Sequence, residues 1–187
     1  MTDVALGVRR AALGVRVLAV VLGAVLVALA AQVAVPLPGT PVPMTLQPMA
    51  VLLVGGLLGP RLGALSMILY LAMGAVGLPV FTPTVPLVGV ARLFGPTGGY
   101  LLAYPVAAWA VGSVVREGSS MWRVACGVLA GLVLIHLGGL AQLAILTGSI
   151  SGAARLATWP FLLGDVLKLV ILVPVLTRLT PTIRARL

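Results

Sequence analysis

Long apolar runs without charged residues constrain this chain more than any other feature of its sequence. The run from Val17 to Val35 carries no charge, and its length matches the roughly 20 residues that a helix needs to cross a bilayer core. Five more hydrophobic segments come after it in a chain of 187 residues that is 61% hydrophobic and 8% charged. These runs are continuous, whereas the strands of a membrane barrel alternate apolar and polar residues. The sequence therefore predicts an all-α integral membrane protein.

Proline, glycine and charged residues divide the chain into six predicted membrane-spanning helices, which form a single membrane domain over residues 1–187. Helices 2 and 3 are short, and only Gly59, Pro60 and Arg61 separate them, so we expect them to tilt or to shelter inside the bundle. The first apolar run is too long for a typical signal peptide, and we interpret it as a retained helix. The predicted ranges are 15–35, 45–58, 62–78, 98–115, 121–146 and 158–179.

The arginines are distributed unevenly over this predicted topology. If both termini are cytoplasmic, nine arginines lie on the cytoplasmic side and two, Arg92 and Arg155, lie outside, as the positive-inside rule requires. The net charge of +9 therefore indicates orientation, with attraction to anionic membrane lipids as a secondary effect. No soluble segment carries a basic and aromatic patch, so we expect no nucleic-acid partner. The nine are Arg9, Arg10, Arg16, Arg61, Arg116, Arg123, Arg178, Arg184 and Arg186.

Helix 6 carries Asp165 and Lys168, the only lysine of the chain, in an otherwise apolar run. Their i, i+3 spacing places both side chains on one helical face. Two charges facing lipid at mid-span would cost roughly 5 to 7 kcal/mol, so we expect this face to point into the bundle. Two interpretations remain open: the side chains neutralise each other, or they form a polar pocket. In such a pocket Asp165 accepts hydrogen bonds from a ligand's N–H groups and Lys168 donates to a carbonyl or carboxylate.

Two predicted outer loops can shape such a pocket. The loop 35–48 is rich in proline, which fixes the backbone, and we expect it to act as a stiff lid among the helices. The segment 77–101 is too hydrophobic for a solvent loop and too rich in proline for a helix, which indicates a partly re-entrant loop between helices 3 and 4. Thr97, Gly98 and Gly99 begin helix 4, where the glycines serve either anion binding by free amides or close helix packing.

Three segments of the chain occur in a characteristic succession: "PVPMTLQPMAVLLVGGLLGPRLGALSMILYLAMGAVGLPVF", then "LFGPTGGYLLAYP", then "PFLLGDVLKL". In this order and spacing they resemble the BioY family, the biotin-specific S components of energy-coupling-factor (ECF) transporters. The resemblance implies a six-helix protein of the bacterial inner membrane with both termini in the cytoplasm. It further implies that the protein captures biotin from outside and associates with a transmembrane coupling subunit and two ABC-type ATPases.

The resemblance also implies which residues contact the ligand. Asp165 and Lys168 match the family's GDxxK motif, Thr45 and Gln47 belong to its TLQ motif, and Arg92 stands just before "LFGPTGGY". One departure lies in the loop between helices 3 and 4, where relatives have a glycine-rich stretch after "LPVF" and this chain has "TPTVPLVG". The resemblance therefore does not define the ligand contacts of this loop.

Biotin's chemistry agrees with the polar residues of the chain. Its urea group offers N–H donors and a carbonyl, and its valeryl chain ends in a carboxylate, so Asp165 can accept from the urea while Lys168 or Arg92 meets the carbonyl or carboxylate. Phe81, Tyr100 and Trp159 are candidates for apolar walls around the ring, with anchoring at the membrane interface as the alternative.

Other residues of the apolar segments have simpler interpretations. The sole histidine, His136, is predicted to be a hydrogen-bonded interior residue, because no cluster of His, Cys or carboxylates accompanies it; we expect no metal and no cofactor. Ala24 and Ala28 on helix 1 have the small-xxx-small spacing that lets another helix approach closely. That surface is predicted either to dock the coupling subunit, as the family resemblance implies, or to pack within this bundle.

Two rival functions compete with biotin capture. An intramembrane enzyme would need a nucleophile with its base, a metal site or paired carboxylates, and the sequence supplies none of these, so we expect a protein that is not an enzyme. The same architecture could instead bind another small vitamin. The chain has no GxxxxGK[ST] loop for ATP, so uphill transport would depend on partner proteins.

Overall fold

The computed structural model describes the backbone of residues 2–187 and the side chains of residues 13–187. The prediction of an all-α protein is confirmed, since strands cover only two residues each. The elements in chain order are α1 Thr2–Gln32, β1 Ala34–Val35, β2 Met44–Thr45, α2 Gln47–Ala75, α3 Ala91–Phe94, α4 Gly98–Val114, α5 Met121–Thr147, α6 Ile150–Ala157, a 3₁₀ turn Trp159–Phe161 and α7 Leu162–Arg184.

The predicted boundary between helices 2 and 3 is a sharp reversal inside α2. Gly59 has φ 83° and ψ 178°, a conformation that residues with a Cβ rarely adopt, and Pro60 stands at the start of the second leg. A Cβ built on Gly63 would lie 2.8 Å from the Cα of Gly55. Residues eight apart in a straight helix are separated by about 12 Å along the axis, so the two legs of α2 must fold back against each other.

Several helices of the structure are suited to crossing a membrane. Four segments are long and apolar enough to do so: 13–32, 47–75, 121–147 and 150–184, the last of which includes α6, the 3₁₀ turn and α7. The helix α4, with 17 residues, packs between α2 and α5. The protein is therefore a multi-pass membrane protein built as a helical bundle.

One end of the bundle gathers the Gly59 reversal, the part of α1 around Arg16 and the C-terminal end of α7. Arg184 Nη2 donates to the backbone oxygens of Gly56, at 2.8 Å, and Gly112, at 3.2 Å. Arg16 Nε donates to the backbone oxygen of Leu187 at 2.8 Å. Arginines predicted to share one membrane face thus lie together, although the side chains of two members of that set, at positions 9 and 10, lie outside the described part.

Small residues allow the helices of the bundle to approach closely. A Cβ on Gly99 of α4 would lie 2.0 Å from the backbone oxygen of Gly138 of α5, so Gly99 serves close helix packing. On α1, Ala24 is fully buried and Ala28 is half-buried, while a Cβ on Gly23 would lie 2.6 Å from Ser66 Oγ of α2. The small-residue seam of α1 therefore packs within this bundle, and the expectation that Ala24 docks a partner is corrected for this conformation, because its side chain is covered by neighbouring helices.

Replacing Gly99 with alanine should destabilise the bundle, because the new methyl group would collide with the α5 backbone. We expect a loss of about 1–3 kcal/mol, which is typical of overpacking, measured as a lower midpoint of thermal unfolding in detergent. The matched control is Gly14→Ala in α1, where a Cβ meets nothing within 4 Å. An unchanged midpoint for Gly99→Ala would contradict the close crossing of α4 and α5.

Candidate ligand-binding site

A cavity opens at the end of the bundle opposite the Gly59 reversal. Its empty space, including the open solvent at its mouth, measures ≈ 600 Å³. Side chains from the loop before α2, the segment between α2 and α4, and helices α4, α5 and α7 surround it. Seven of the eight residues predicted to contact a ligand border it: Thr45, Gln47, Phe81, Arg92, Tyr100, Asp165 and Lys168.

A buried cluster of charged and polar groups forms one wall of the cavity. Lys168 Nζ lies 2.7 Å from Asp165 Oδ1, and His136 Nε2 lies 2.5 Å from Asp165 Oδ2. The side chains of Lys168, Asp165 and His136 are only 9%, 11% and 17% exposed. Both interpretations of the predicted pair therefore apply to this structure: Asp165 and Lys168 neutralise each other, and they do so at the edge of a cavity.

His136 is the functional candidate that sequence reasoning missed. It is hydrogen-bonded, as predicted, but it borders the cavity, and its partner Asp165 lies 29 positions away on another helix. No spacing rule within one helix connects the two residues, because the crossing of α5 and α7 brings them together. The one signal available in the sequence was that a single histidine and a single mid-helix carboxylate both needed a polar partner.

Gln47 connects α2 to the segment after that helix. Its side chain is 4% exposed, and its Nε2 donates to the hydroxyl oxygen of Tyr70, whose O–H donates to the backbone oxygen of Val80 at 3.2 Å. Thr45 Oγ1 lies 3.2 Å from Gln47 Oε1. This chain of hydrogen bonds holds the start of α2, its second leg and the segment after it around one side of the cavity.

Arg92 holds together the irregular segment between α2 and α4. The residue is 1% exposed, and its guanidinium donates to the backbone oxygens of Val85, of Leu87 at 3.1 Å and of Thr82 at 2.7 Å. Its Nε makes no hydrogen bond to any described residue. Arg92 therefore shapes the segment while its positive charge stays beside the cavity.

Aromatic side chains form much of the remaining wall. Tyr100 O–H donates to the backbone oxygen of Ala157 at 2.5 Å, and its ring lies edge-on to Phe161 at a centroid distance of 6.4 Å. Phe81 is 8% exposed and borders the same cavity. Trp159 does not: it lies in the 3₁₀ turn, is 67% exposed, and belongs to the outer surface instead. Phe161, two positions later, occupies the place predicted for Trp159.

The loop 33–46 closes part of the cavity, in agreement with its predicted role. Its ends pair as a short antiparallel ladder, Ala34 with Thr45, and Val42 and Pro43 border the cavity. Thr40 Oγ1 donates to the backbone oxygen of Leu156 at 2.8 Å, which ties the loop to α6. The loop is therefore braced at both sides of the opening.

Thr97 adds a hydroxyl group to the cavity wall. It is 7% exposed, and its hydroxyl has no hydrogen-bond partner among the described residues. Within residues 13–187, no three His, Cys, Asp or Glu side chains come close enough to hold a metal ion.

A multi-pass helical bundle with a partly polar cavity at one end places the chain among membrane-embedded proteins with a candidate small-molecule site. The chain belongs to the BioY family, whose model matches residues 5–185. It is therefore a transporter-family protein and not an enzyme.

Curated relatives and a solved structure agree with this assignment. The chain is 40% identical over 128 residues to the probable biotin transporter BioY of Pyrococcus horikoshii, covering 68% of this chain and 74% of the relative. It is 36% identical over 155 residues to the biotin transporter BioY of Thermotoga maritima, covering 82% and 89%. The crystal structure of the S-component for biotin from an ECF-type ABC transporter superposes with a TM-score of 0.79 at 25% identity, covering 88% of this chain and 89% of that one.

Replacing Arg92 with lysine should loosen the segment between α2 and α4, because an ammonium group cannot reproduce the forked donation to several carbonyl groups. We expect faster amide hydrogen exchange in peptides covering residues 77–90, measured by mass spectrometry. The control is Arg155→Lys, which changes an exposed arginine of the same end of the bundle. Equal exchange in the wild type and Arg92→Lys would show that Arg92 does not hold the segment.

Proposed function

We propose that this protein is the substrate-binding S component of an ECF-type vitamin transporter and that it captures biotin. The observation that carries the proposal is the cavity bordered by the buried Asp165 and Lys168 pair. Charged side chains are costly inside a membrane bundle, and the placement of this pair at the wall of an open cavity favours a recognition role. The names of the relatives and of the similar crystal structure supply the choice of biotin.

The groups around the cavity complement the parts of biotin. Asp165 offers carboxylate oxygens to urea N–H groups, while Lys168 and Arg92 offer positive charge to a carbonyl or to the valerate carboxylate. Phe81, Tyr100 and Phe161 supply apolar surface for the thiophane ring and the alkyl chain. Thr97 and Gln47 are additional hydrogen-bonding candidates, with Thr45 beside them.

We propose six membrane crossings: α1, the two legs of α2, α4, α5 and α7. The Gly59 reversal supports counting α2 twice, and the insertion of Val80, Phe81 and Thr82 among the helices supports a partly re-entrant segment before α4. The arginine-rich end of the bundle then faces the cytoplasm, together with both termini, and the cavity opens to the outside of the cell membrane.

The proposed partners are a transmembrane coupling subunit and two ABC-type ATPases, in contact with membrane lipids. The similar crystal structure is described as part of an ECF-type ABC transporter, and this chain contains no phosphate-binding loop of its own. Biotin uptake against a gradient should therefore require co-expression of such a module. Uptake of labelled biotin by cells that express the chain with and without a coupling module tests this, and equal uphill uptake in both would contradict it.

Asp165→Asn and Lys168→Ala should each weaken biotin binding by roughly 10- to 100-fold, because each removes a charge-assisted hydrogen bond. The measurement is a binding isotherm with labelled biotin on the purified protein in detergent. The control is Arg178→Gln, which removes a charge from an exposed position on the same helix.

Two outcomes would count against the proposal. Unchanged biotin affinity in both variants, with unfolding midpoints near that of the wild type, would remove the pair from ligand recognition. Tight binding of a different vitamin in a competition panel, with no binding of biotin, would keep the architecture and replace the ligand.

A further inference from the structure

The two ring nitrogens of His136 both face hydrogen-bond acceptors. Nε2 lies 2.5 Å from Asp165 Oδ2, and Nδ1 lies 3.3 Å from the backbone oxygen of Ala157. A backbone carbonyl can only accept, and an ionised carboxylate can only accept. A neutral imidazole has one N–H and cannot donate to both, whereas an imidazolium has two.

The other groups around His136 agree with a cationic ring. Lys168 Nζ already donates to the other carboxylate oxygen, Oδ1 of Asp165, which favours the ionised carboxylate over a protonated one. The hydroxyl of Tyr100, whose ring packs edge-on to His136 at 6.4 Å, donates to the same carbonyl of Ala157. No described group thus offers a hydrogen to either ring nitrogen.

We propose that His136 is a positioning residue for the ligand site, present as an imidazolium that clamps the Asp165 carboxylate between two cations and gives this cluster a net positive charge. Each donor bonds a different oxygen of Asp165, so each oxygen keeps a lone pair for a ligand N–H. The charges that face His136 are Asp165 and Lys168 on α7, and Tyr100 on α4 is the titratable group that packs against it.

A consequence for ligand capture rests on the proposed function. With His136 protonated the cluster carries one excess positive charge, which favours an anionic ligand such as biotin carboxylate. Loss of the imidazolium proton removes this charge and the clamp's second donor. A variant that lacks this charge and this donor should therefore bind biotin more weakly than the wild type, and the carboxylate of biotin stays ionised over pH 6 to 9.

The protonation state can be observed without any ligand. Because His136 is the only histidine, ¹⁵N-labelled histidine in a protein purified through a tag without histidine gives one set of imidazole signals. We expect both ring nitrogens to be protonated at pH 6, because both face hydrogen-bond acceptors. A neutral tautomer at pH 6 would overturn the imidazolium assignment whether or not biotin binds.

The second test separates positioning from mere packing. His136→Gln can donate one N–H to Asp165 without titrating, and His136→Leu can donate none. In biotin isotherms at pH 6 we expect His136→Gln, which keeps one donor but carries no charge, to bind more weakly than the wild type and more tightly than His136→Leu, which should lose roughly 10- to 100-fold in affinity.

The possible results lead to different conclusions. Equal biotin affinities of the wild type and His136→Gln at pH 6 would overturn the inference, and so would full affinity of His136→Leu at pH 6. If His136→Leu unfolds, the comparison between wild type and His136→Gln still decides. A wild-type protein that binds no biotin at any pH contradicts the proposed function instead, while the ¹⁵N experiment still tests the charge of His136.

Discussion

The rest of the site depends on keeping the Asp165 carboxylate ionised inside a membrane bundle. A lone carboxylate in an apolar interior would cost several kcal/mol and would take up a proton instead. Here Lys168 and His136 each bond one carboxylate oxygen, at 2.7 Å and 2.5 Å. The pairing demands that α5 and α7 present these side chains to each other, and the space beside the pair becomes the wall of a cavity. Burial of the Asp165 carboxylate thus requires the contact between α5 and α7 and places charged groups at the cavity wall.

Close helix packing occurs both away from the cavity and beside it. Gly55 of α2 meets Ala108 of α4, Gly99 of α4 meets Gly138 of α5, and a Cβ on any of these glycines would lie within 2.5 Å of a facing backbone oxygen. The helices thus associate through backbone contact, as expected where lipid supplies no hydrophobic drive for helix association. Because Gly99 precedes Tyr100 and Gly138 lies two positions after His136, the close packing of α4 and α5 also positions side chains of the cavity wall.

The cost of placing charge in lipid made part of the site predictable from sequence, whereas contacts that depend on helix rotation were not. Asp165, Lys168 and Arg92 stood out because charged residues in apolar segments demand partners, and the Gly59 break was evident from glycine and proline chemistry. Trp159 was misplaced because the 3₁₀ turn directs it outward and Phe161 inward. For Ala24, the small-residue spacing predicted a close helix contact but not whether the contacting helix belongs to this bundle or to a partner. The role of His136 arises only from the crossing of α5 and α7.

Mutual neutralisation of Asp165 and Lys168 and recognition of a ligand are often treated as competing explanations, yet the geometry reconciles them. A carboxylate has about four acceptor positions, and the two cations occupy one on each oxygen. A ligand N–H can add to a remaining position without breaking either bond, and the carboxylate has already lost most of its water on folding. The free-energy cost of desolvating and ordering the carboxylate is therefore incurred partly when the protein folds and not when the ligand binds, which is the advantage of a preorganised site. The ion pair of Asp165 and Lys168 thus preorganises the cavity wall for a ligand.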